Sequence, residues 1–242
     1  MIKAIITELR RRIEGITGCH KPKPERRFHK HDLYLSYSLK TPDFHKLMKE
    51  FRPRFLELGL PERLKLARQL LGIHIGELGH AGIYVLTLSV EQLQPRHFSL
   101  LDAVTDDFRS WSHVDHFCTQ VMAPLLFKFP EKTLALLEKW NKSPNRFKRR
   151  ASVVAFTHNV AKSAKFTEEA VRLCENLIRD DEDIVRKGIG WALKDNMRSA
   201  PKRILPFVKD LRRRGISSTI TLYAIRDLKP AQRKEVLAIK KD

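Results

Sequence analysis

The feature that most constrains this chain is the spacing of its apolar residues, which recur every three or four positions in one segment after another from Phe44 onward. That period places apolar side chains on one face of an α-helix, whereas a half-buried strand alternates at every second residue. Short stretches with Pro, Asn, Asp or Ser separate the segments, as expected between helices. The spacing therefore predicts an all-α protein.

The predicted helices are joined by short loops, and most are roughly 12 to 18 residues long. They cover 2–16, 43–57, 61–74, 76–89, 95–108, 111–128, 130–141, 145–162, 167–179, 183–198, 201–213, 217–226 and 230–239. The segment 32–37 fits a short strand or an amphipathic helix equally well. Residues 18–31 are basic and contain two prolines, so we expect an exposed loop there, which serves either as a linker or as a phosphate contact.

Helices joined by such short loops pack antiparallel to their neighbours, and pairs that recur at roughly 35 to 45 residues are typical of HEAT-type repeats. We therefore predict one domain over 1–242, made of an N-terminal helix (1–17), the basic loop (18–31) and helical repeats (32–242). The repeats are expected to stack into a right-handed superhelical solenoid. Its concave face, lined by one helix of each pair, is suited to hold a DNA duplex.

The charge balance predicts a polyanionic partner. The chain carries 47 Lys and Arg against 28 Asp and Glu, a formal net charge of +19. The excess lies within helical segments, since residues 142–214 contain 19 Lys and Arg but only 9 Asp and Glu. Solvated helix faces usually mix both signs, so nucleic acid explains the surplus better than solubility alone. The concave face is accordingly expected to form a basic DNA-binding channel.

Two features argue against other classes of protein. No apolar run approaches the ~20 residues needed to cross a bilayer, and Met1–Ala4 does not begin a signal peptide. We therefore expect no membrane partner and a cytoplasmic, nucleoid-associated location. The three cysteines, Cys19, Cys118 and Cys174, have no C-x-x-C spacing, which argues against a disulfide framework and against a thiolate zinc site.

Three helices carry residues that are unusual for simple packing. In the first, Trp111 and Asp115 lie four residues apart, and Cys118 and Met122 continue the same face. A carboxylate is thereby placed within a largely apolar stripe. An aspartate in that position needs either a partner or a task.

The second of these helices contains Arg146 and Arg150 one turn apart. Guanidinium groups so placed can bind phosphate through paired hydrogen bonds. The alternative is a structural ion pair of Arg150 with an acid such as Asp115 or Asp183. The two interpretations are compatible at different stages of binding.

The third helix contains Gly188 and Gly190 directly before Trp191. Each glycine costs a helix roughly 1 kcal/mol relative to alanine, and the close approach of another backbone would justify that cost. Asp115, Arg150 and Trp191 follow one another at intervals that match the repeat period. We therefore expect them to line one cleft.

These segments resemble the hallmark segments of the AlkD-like DNA glycosylases. The likeness comprises 111–115, Arg150 and 186–193, where Arg-Lys-Gly-Ile-Gly-Trp is similar to the family's Arg/Gln-Lys-Ala-Ile-Gly-Trp run. A weaker resemblance extends over about 34–194 and includes Lys-Thr-Pro at 40–42, which is similar to an early Thr-Pro helix start. The resemblance implies a HEAT-like solenoid that holds duplex DNA.

The resemblance also implies an activity, the hydrolysis of the glycosidic bond of positively charged N3- or N7-alkylpurines in double-stranded DNA, which leaves an abasic site. Asp115 would stabilise the positive charge that develops on the sugar and position the attacking water. Trp111 and Trp191 would pack against the deoxyribose, and Arg150 would hold the neighbouring backbone. The cations expected to add DNA contacts are Arg146, Arg149, Lys187 and Lys194. No metal or organic cofactor is implied, and a monomer without an obligate protein partner is expected.

The chain departs from the family pattern close to this predicted site. Gly79 and Gly82 stand where family members carry a bulky aromatic helix start, which leaves open the preferred lesion and the acceptance of bulky adducts. His113 and His116 have a spacing that could bind a metal, but neither shares the inward stripe cleanly and the sequence places no further ligand. We therefore predict no metal site. Trp140 is interpreted as a core residue.

Two other functions remain open. A duplex-binding scaffold that has lost turnover would keep the basic channel, but a carboxylate facing phosphates weakens binding, so Asp115 favours catalysis. A HEAT-type protein-interaction module would not need a charge of +19. The basic C-terminal helix and its flanks, Lys229 to Lys241, either contact DNA or solubilise the end of the solenoid.

Overall fold

The computed structural model describes residues 1–26 and 34–240. Residues 27–31 of the predicted basic loop, residues 32–33 of the segment 32–37, and Lys241 lie outside the described residues. Regular structure in the described part is almost entirely helical, which confirms the all-α class. The α-helices are Ile2–Thr17 (α1), Thr41–Leu56 (α2), Leu60–Leu71 (α3), Gly76–Thr87 (α4), Phe98–Val104 (α5), Trp111–Phe117 (α6), Ala123–Lys128 (α7), Pro130–Asn141 (α8), Arg146–Val154 (α9), His158–Ser163 (α10), Thr167–Leu177 (α11), Asp183–Ser199 (α12), Pro201–Arg213 (α13), Ser218–Ala224 (α14) and Pro230–Leu237 (α15).

Two very short strands pair near the start of the chain. Strand β1 (Lys23–Pro24) runs antiparallel to β2 (Leu35–Ser36), so the strand alternative for 32–37 applies to its described residues and the helical one does not. The buried carboxylate of Glu77 anchors the chain after β2. It accepts a hydrogen bond from the hydroxyl of Ser36 at 2.7 Å and hydrogen bonds from the backbone N–H groups of Tyr37 and Leu39 at 3.1 and 3.2 Å. These three hydrogen bonds compensate for burial of the charge.

Three predicted helices differ from the observed ones in continuity. The segment 95–108 forms only the short α5, flanked by 3-10 turns at Pro95–His97 and Thr105–Asp107. The segment 145–162 is divided into α9 and α10, because Thr157 has an extended backbone (φ −94°, ψ 178°) that ends the helical path. In 111–128, wider π-type turns at Cys118–Met122 join α6 to α7. They precede Pro124, whose ring nitrogen has no hydrogen for the helix ladder.

The chain divides into two compact units, Met1–Val121 and Met122–Asp242. In the first unit, α3 packs on α4, and α4 also contacts α2 and α6. In the second unit, α9 packs between α8 and α12, and α12 packs in turn against α14. Helices α9, α12 and α14 therefore follow one another in space at roughly the predicted repeat interval. Trp140 of α8 is fully buried, which confirms it as a core residue.

Across 1–26 and 34–240, no helix combines the length and the apolar character that crossing a bilayer requires.

Candidate functional site

Helix α6 carries the predicted pair Trp111 and Asp115 in the first unit. Ser110 precedes the helix in extended backbone, and its Oγ accepts the backbone N–H of His113 at 3.2 Å, which caps the helix. Trp111 and Asp115 are both half-buried and lie one turn apart. An aromatic ring and a carboxylate are therefore neighbours on one face of α6.

His113 faces the core of the first unit, a position that the sequence did not predict. Its side chain is buried, and Nε2 donates to the carbonyl oxygen of Gly76 at 3.0 Å, so this nitrogen carries a proton. Gly79 leaves the space for the ring, since a Cβ there would lie 2.6 Å from two of its atoms. Gly82 allows α3 to approach α4, where a Cβ would lie 2.8 Å from the carbonyl oxygen of Ala67. Both glycines that replace an aromatic helix start therefore have packing roles.

A pair of histidines joins α4 to α6. The Nδ1 atoms of His80 and His116 are 3.1 Å apart, so one ring donates to the other. Nε2 of His80 lies 3.2 Å from Ser112 Oγ, which is 2.7 Å from Ser110 Oγ. Burial, together with the positive charge of the nearby His45, lowers the pKa of His116 to about 4. His116 is therefore a neutral member of this network at neutral pH.

The side chains of both histidines that flank Asp115 are engaged in hydrogen bonds within the protein. Among the residues that the structure describes, no three His, Cys, Asp or Glu side chains converge as a metal-binding group. Nε2 of His113 donates to a carbonyl, and Nδ1 of His116 faces His80. Because these ring nitrogens already take part in hydrogen bonds within the protein, the two histidines fit a structural role better than metal ligation.

The second unit holds the predicted cations, of which Arg146 and Arg149 of α9 pair with acids that precede α12. Arg146 Nη1 donates to Glu182 Oε2 at 3.2 Å. Arg149 grips the buried carboxylate of Asp180 through Nε at 2.6 Å and Nη2 at 3.2 Å, while its Nη1 donates to two backbone carbonyls before α9. These bonds fix Arg149 in the fold. Contact of either arginine with DNA stays a prediction.

Arg150 is buried against α12. Its side chain is 5% exposed, and Nη1 donates to the carbonyl oxygen of Ile184. The side chain passes close to Gly188, where a Cβ would lie 3.3 Å from Cγ of Arg150. Gly188 thus leaves room for the side chain of Arg150. The sequence had predicted the close approach of another backbone at this glycine. The guanidinium is held at a fixed place on α12, and its contact with phosphate stays a prediction.

The two lysines of α12 differ in accessibility. Lys187 Nζ pairs with Asp183 Oδ2 at 2.7 Å one turn away, and its side chain is 56% exposed. Lys194 Nζ lies 3.3 Å from Asp195 Oδ1 and 5.7 Å from the centre of the Tyr223 ring, and its side chain is mostly buried. Lys187 is therefore the more accessible charge.

Trp191 is half-buried on α12, directly after Gly190. A Cβ on Gly190 would lie 2.6 Å from Cβ of Tyr223 and 3.0 Å from the carbonyl oxygen of Ile220, both in α14. The close approach of another backbone that the sequence predicted is therefore confirmed at Gly190.

His158 is a neighbour of Trp191 that sequence reasoning missed. The two rings are nearly perpendicular (88°), with centroids 5.2 Å apart. His158 has a positive φ of 49°, and its backbone N–H donates to Asp195 Oδ2 at 3.0 Å. No sequence signal marks this contact, because it depends on a left-handed residue at the start of α10.

Comparison with known proteins places the chain in a family. A family model described as DNA alkylation repair enzyme matches residues 12–228. The chain belongs to this family. The matched region contains every predicted site residue, and the resemblance noted in the sequence is confirmed.

Solved structures of low sequence identity share the fold of this DNA alkylation repair family member. A predicted DNA alkylation repair enzyme from Enterococcus faecalis is 12% identical, with 92% of this chain and 96% of that chain covered and a TM-score of 0.73. AlkD2 from Streptococcus mutans is 17% identical, with coverages of 90% and 99% and a TM-score of 0.60. The smu.31 protein of Streptococcus mutans UA159 is 19% identical, with coverages of 77% and 98% and a TM-score of 0.57. No curated protein sequence matches the chain significantly.

Proposed function

We propose that this family member is a DNA glycosylase that releases positively charged N3- and N7-alkylpurines from double-stranded DNA and leaves an abasic site. The observation that carries the proposal is the half-buried carboxylate of Asp115, one helical turn from Trp111 on α6. A carboxylate beside an electron-rich ring suits a reaction in which positive charge develops on a sugar. Family membership and the net charge of +19 support DNA as the substrate.

The proposed reaction uses the charge that the lesion already carries. The bond between C1′ and the base nitrogen breaks, and its electron pair neutralises the cationic base, so the leaving group needs no acid. Asp115 stabilises the resulting positive charge on the sugar and orients the water that adds to C1′. The proton of that water passes to Asp115 or to solvent. Trp111 and Trp191 pack against the deoxyribose, and the scheme uses no metal or organic cofactor.

The grip on the DNA backbone is assigned to cations of α9 and α12. Lys187 is accessible for a phosphate contact, whereas Arg149 and Arg150 reach phosphate only by exchanging a protein partner. The positive charges of the cations on α9 and α12 together produce an electric field that attracts the duplex. The residues proposed to contact the DNA backbone are Arg146, Arg149, Arg150, Lys187 and Lys194. A monomer in the cytoplasm, associated with the nucleoid, goes with this proposal.

The decisive test is an Asp115→Asn substitution. We expect the variant to release 7-methylguanine and 3-methyladenine from methylated duplex DNA at least about 100-fold more slowly than the wild type, because charge stabilisation in the transition state is lost. Its affinity for the duplex should be equal or higher, since a negative charge has been removed. Single-turnover base release and a binding isotherm measure the two effects.

Asp181→Asn is the matched control, because it removes one negative charge at an exposed position. The control should bind slightly tighter and release bases at the wild-type rate. Base release that survives both Asp115→Asn and Asp115→Ala would refute the assigned role. Tight duplex binding without release by the wild type would favour a non-catalytic DNA-binding protein.

A further inference from the structure

His158 has a backbone conformation that residues other than glycine adopt rarely, histidine and asparagine more often than most. Its φ of 49° lies in the left-handed region, which glycine adopts freely and asparagine tolerates, whereas most side chains pay a conformational cost there. The residue begins α10, directly after the turn that separates this helix from α9. A chain reversal alone would be made more easily by glycine. The side chain at position 158 therefore needs its own explanation.

Helix α12 holds the segment around His158 at three points. Asp195 Oδ2 accepts the backbone N–H of His158 at 3.0 Å, and Asn196 Nδ2 donates to the carbonyl oxygen of Phe156 at 2.9 Å. Ser199 Oγ donates to the carbonyl oxygen of Ala161 at 2.5 Å. The carboxylate of Asp195 is buried beside Lys194, so its position is well determined. The strained backbone is thus fixed from the same helix that carries Trp191.

These hydrogen bonds from α12 determine the position of the imidazole ring of His158. Asp195 lies one turn after Trp191, and the backbone that it fixes presents the imidazole of His158 perpendicular to the indole, with centroids 5.2 Å apart. Perpendicular ring pairs are a favourable arrangement. His158 is exposed and Trp191 is half-buried, so the imidazole packs against the indole at the protein surface and restricts the rotamers open to it.

We propose that His158 is a positioning residue that holds the indole of Trp191 in the orientation needed to pack against the deoxyribose of bound DNA. This inference rests on the proposed function, because it assigns His158 a role through Trp191. His158 itself exchanges no proton with the substrate. Its contribution is to reduce the number of orientations from which the indole meets the sugar.

Three variants test the inference. His158→Asn removes the ring and tolerates the left-handed backbone, His158→Phe restores an aromatic ring, and Asn159→Ala is a control at the next, exposed position of α10. We expect His158→Asn to lower the single-turnover rate of 7-methylguanine release about 10-fold, with less than about a twofold change in duplex Kd. His158→Phe should recover most of the rate, and Asn159→Ala should match the wild type.

A second measurement reports on Trp191 without any catalysis. The emission of Trp191, taken as the difference between each protein and its Trp191→Phe counterpart, is quenched with acrylamide, with and without an undamaged duplex. We expect duplex DNA to protect Trp191 in the wild type and to protect it less in His158→Asn. Equal quenching of the two proteins overturns the inference, whatever their rates.

The same pair of measurements separates the two proposals. A wild type that releases bases at the same rate as His158→Asn overturns the role of His158 and leaves the glycosylase proposal standing. A wild type that releases none refutes the glycosylase proposal, and the quenching experiment alone then decides whether His158 holds the indole.

Discussion

His116 shows at the level of one residue how burial sets a charge state. Burial, and to a lesser extent the electrostatic influence of His45, lowers the pKa of its ring to about 4, and its Nδ1 faces Nδ1 of His80. In the unfolded chain the same side chain titrates near 6.5. The native state therefore binds this proton less readily than the unfolded state.

The sign of the effect on stability follows from that difference. The contribution is fully present above pH 6.5 and is lost as the pH falls from 6.5 to 4, because only the unfolded state takes up the proton in this interval. The loss amounts to about 3 kcal/mol or less. We expect urea unfolding curves at pH 7, 6, 5 and 4.5 to show a clearly smaller decline for His116→Gln than for the wild type. Equal declines in the free energy of unfolding for the two proteins would mean that other groups carry the pH dependence. The control His20→Gln, at an exposed position, should show the same decline as the wild type.

At the level of helices, Gly190 sets the separation of α12 and α14. A methyl group at this position would lie 2.6 Å from Cβ of Tyr223 and 3.0 Å from a backbone oxygen, neither of which can move without shifting α14. We expect Gly190→Ala to lower the free energy of unfolding by about 2 to 3 kcal/mol, since overpacking exceeds the gain in helix propensity.

Gly15→Ala provides the matched control for that experiment. Gly15 lies in α1, is exposed, and has no atom within 4 Å of a Cβ built on it. There only helix propensity acts, so the substitution should raise the free energy of unfolding by up to about 1 kcal/mol. If denaturant titrations show a lower free energy of unfolding for Gly190→Ala and a higher one for Gly15→Ala, the packing argument is supported. A higher free energy of unfolding for both variants would contradict it.

The elements that the sequence predicts well are those in which one signal dominates. Helices α8 and α13 have the predicted bounds, because a proline opens each of them and apolar spacing continues to the end. The division of 145–162 was missed, because it depends on an extended Thr157 and a left-handed His158 that Asp195 holds from α12. Such long-range hydrogen bonds leave no local pattern.

The residues proposed for the site stay a prediction, but the structure shows how the fold holds each of them. Trp111, Asp115 and Trp191 are half-buried, as groups that meet a substrate should be. Arg149 and His113 are equally conspicuous in the sequence, yet one is bound to Asp180 and the other to Gly76 inside the protein. Whether a cation serves packing or a ligand depends on acids elsewhere in the chain, which the local sequence does not show.

For the whole molecule, the net charge of +19 predicts how affinity for DNA responds to salt. Each phosphate that a cation neutralises releases counterions, so the logarithm of the affinity falls with the logarithm of salt concentration by about 0.9 per contact. Lys187 is the suitable residue for a test, because its side chain is open to solvent. Arg150→Gln would also remove a buried hydrogen bond to Ile184 and so confuse affinity with stability.

We expect Lys187→Gln to reduce the salt slope of duplex affinity by about one, measured by fluorescence anisotropy between 50 and 300 mM salt, concentrations over which such contacts are commonly resolved. Lys132→Gln, an exposed position on α8, removes the same charge and should leave the slope within about 0.3 of the wild-type value. A local contact changes the slope only when its own cation is removed, whereas a diffuse positive field responds to either loss alike. Equal slopes for the two variants would therefore indicate that α12 does not touch the phosphates, and the assignment of Lys187 to the DNA interface would have to be abandoned.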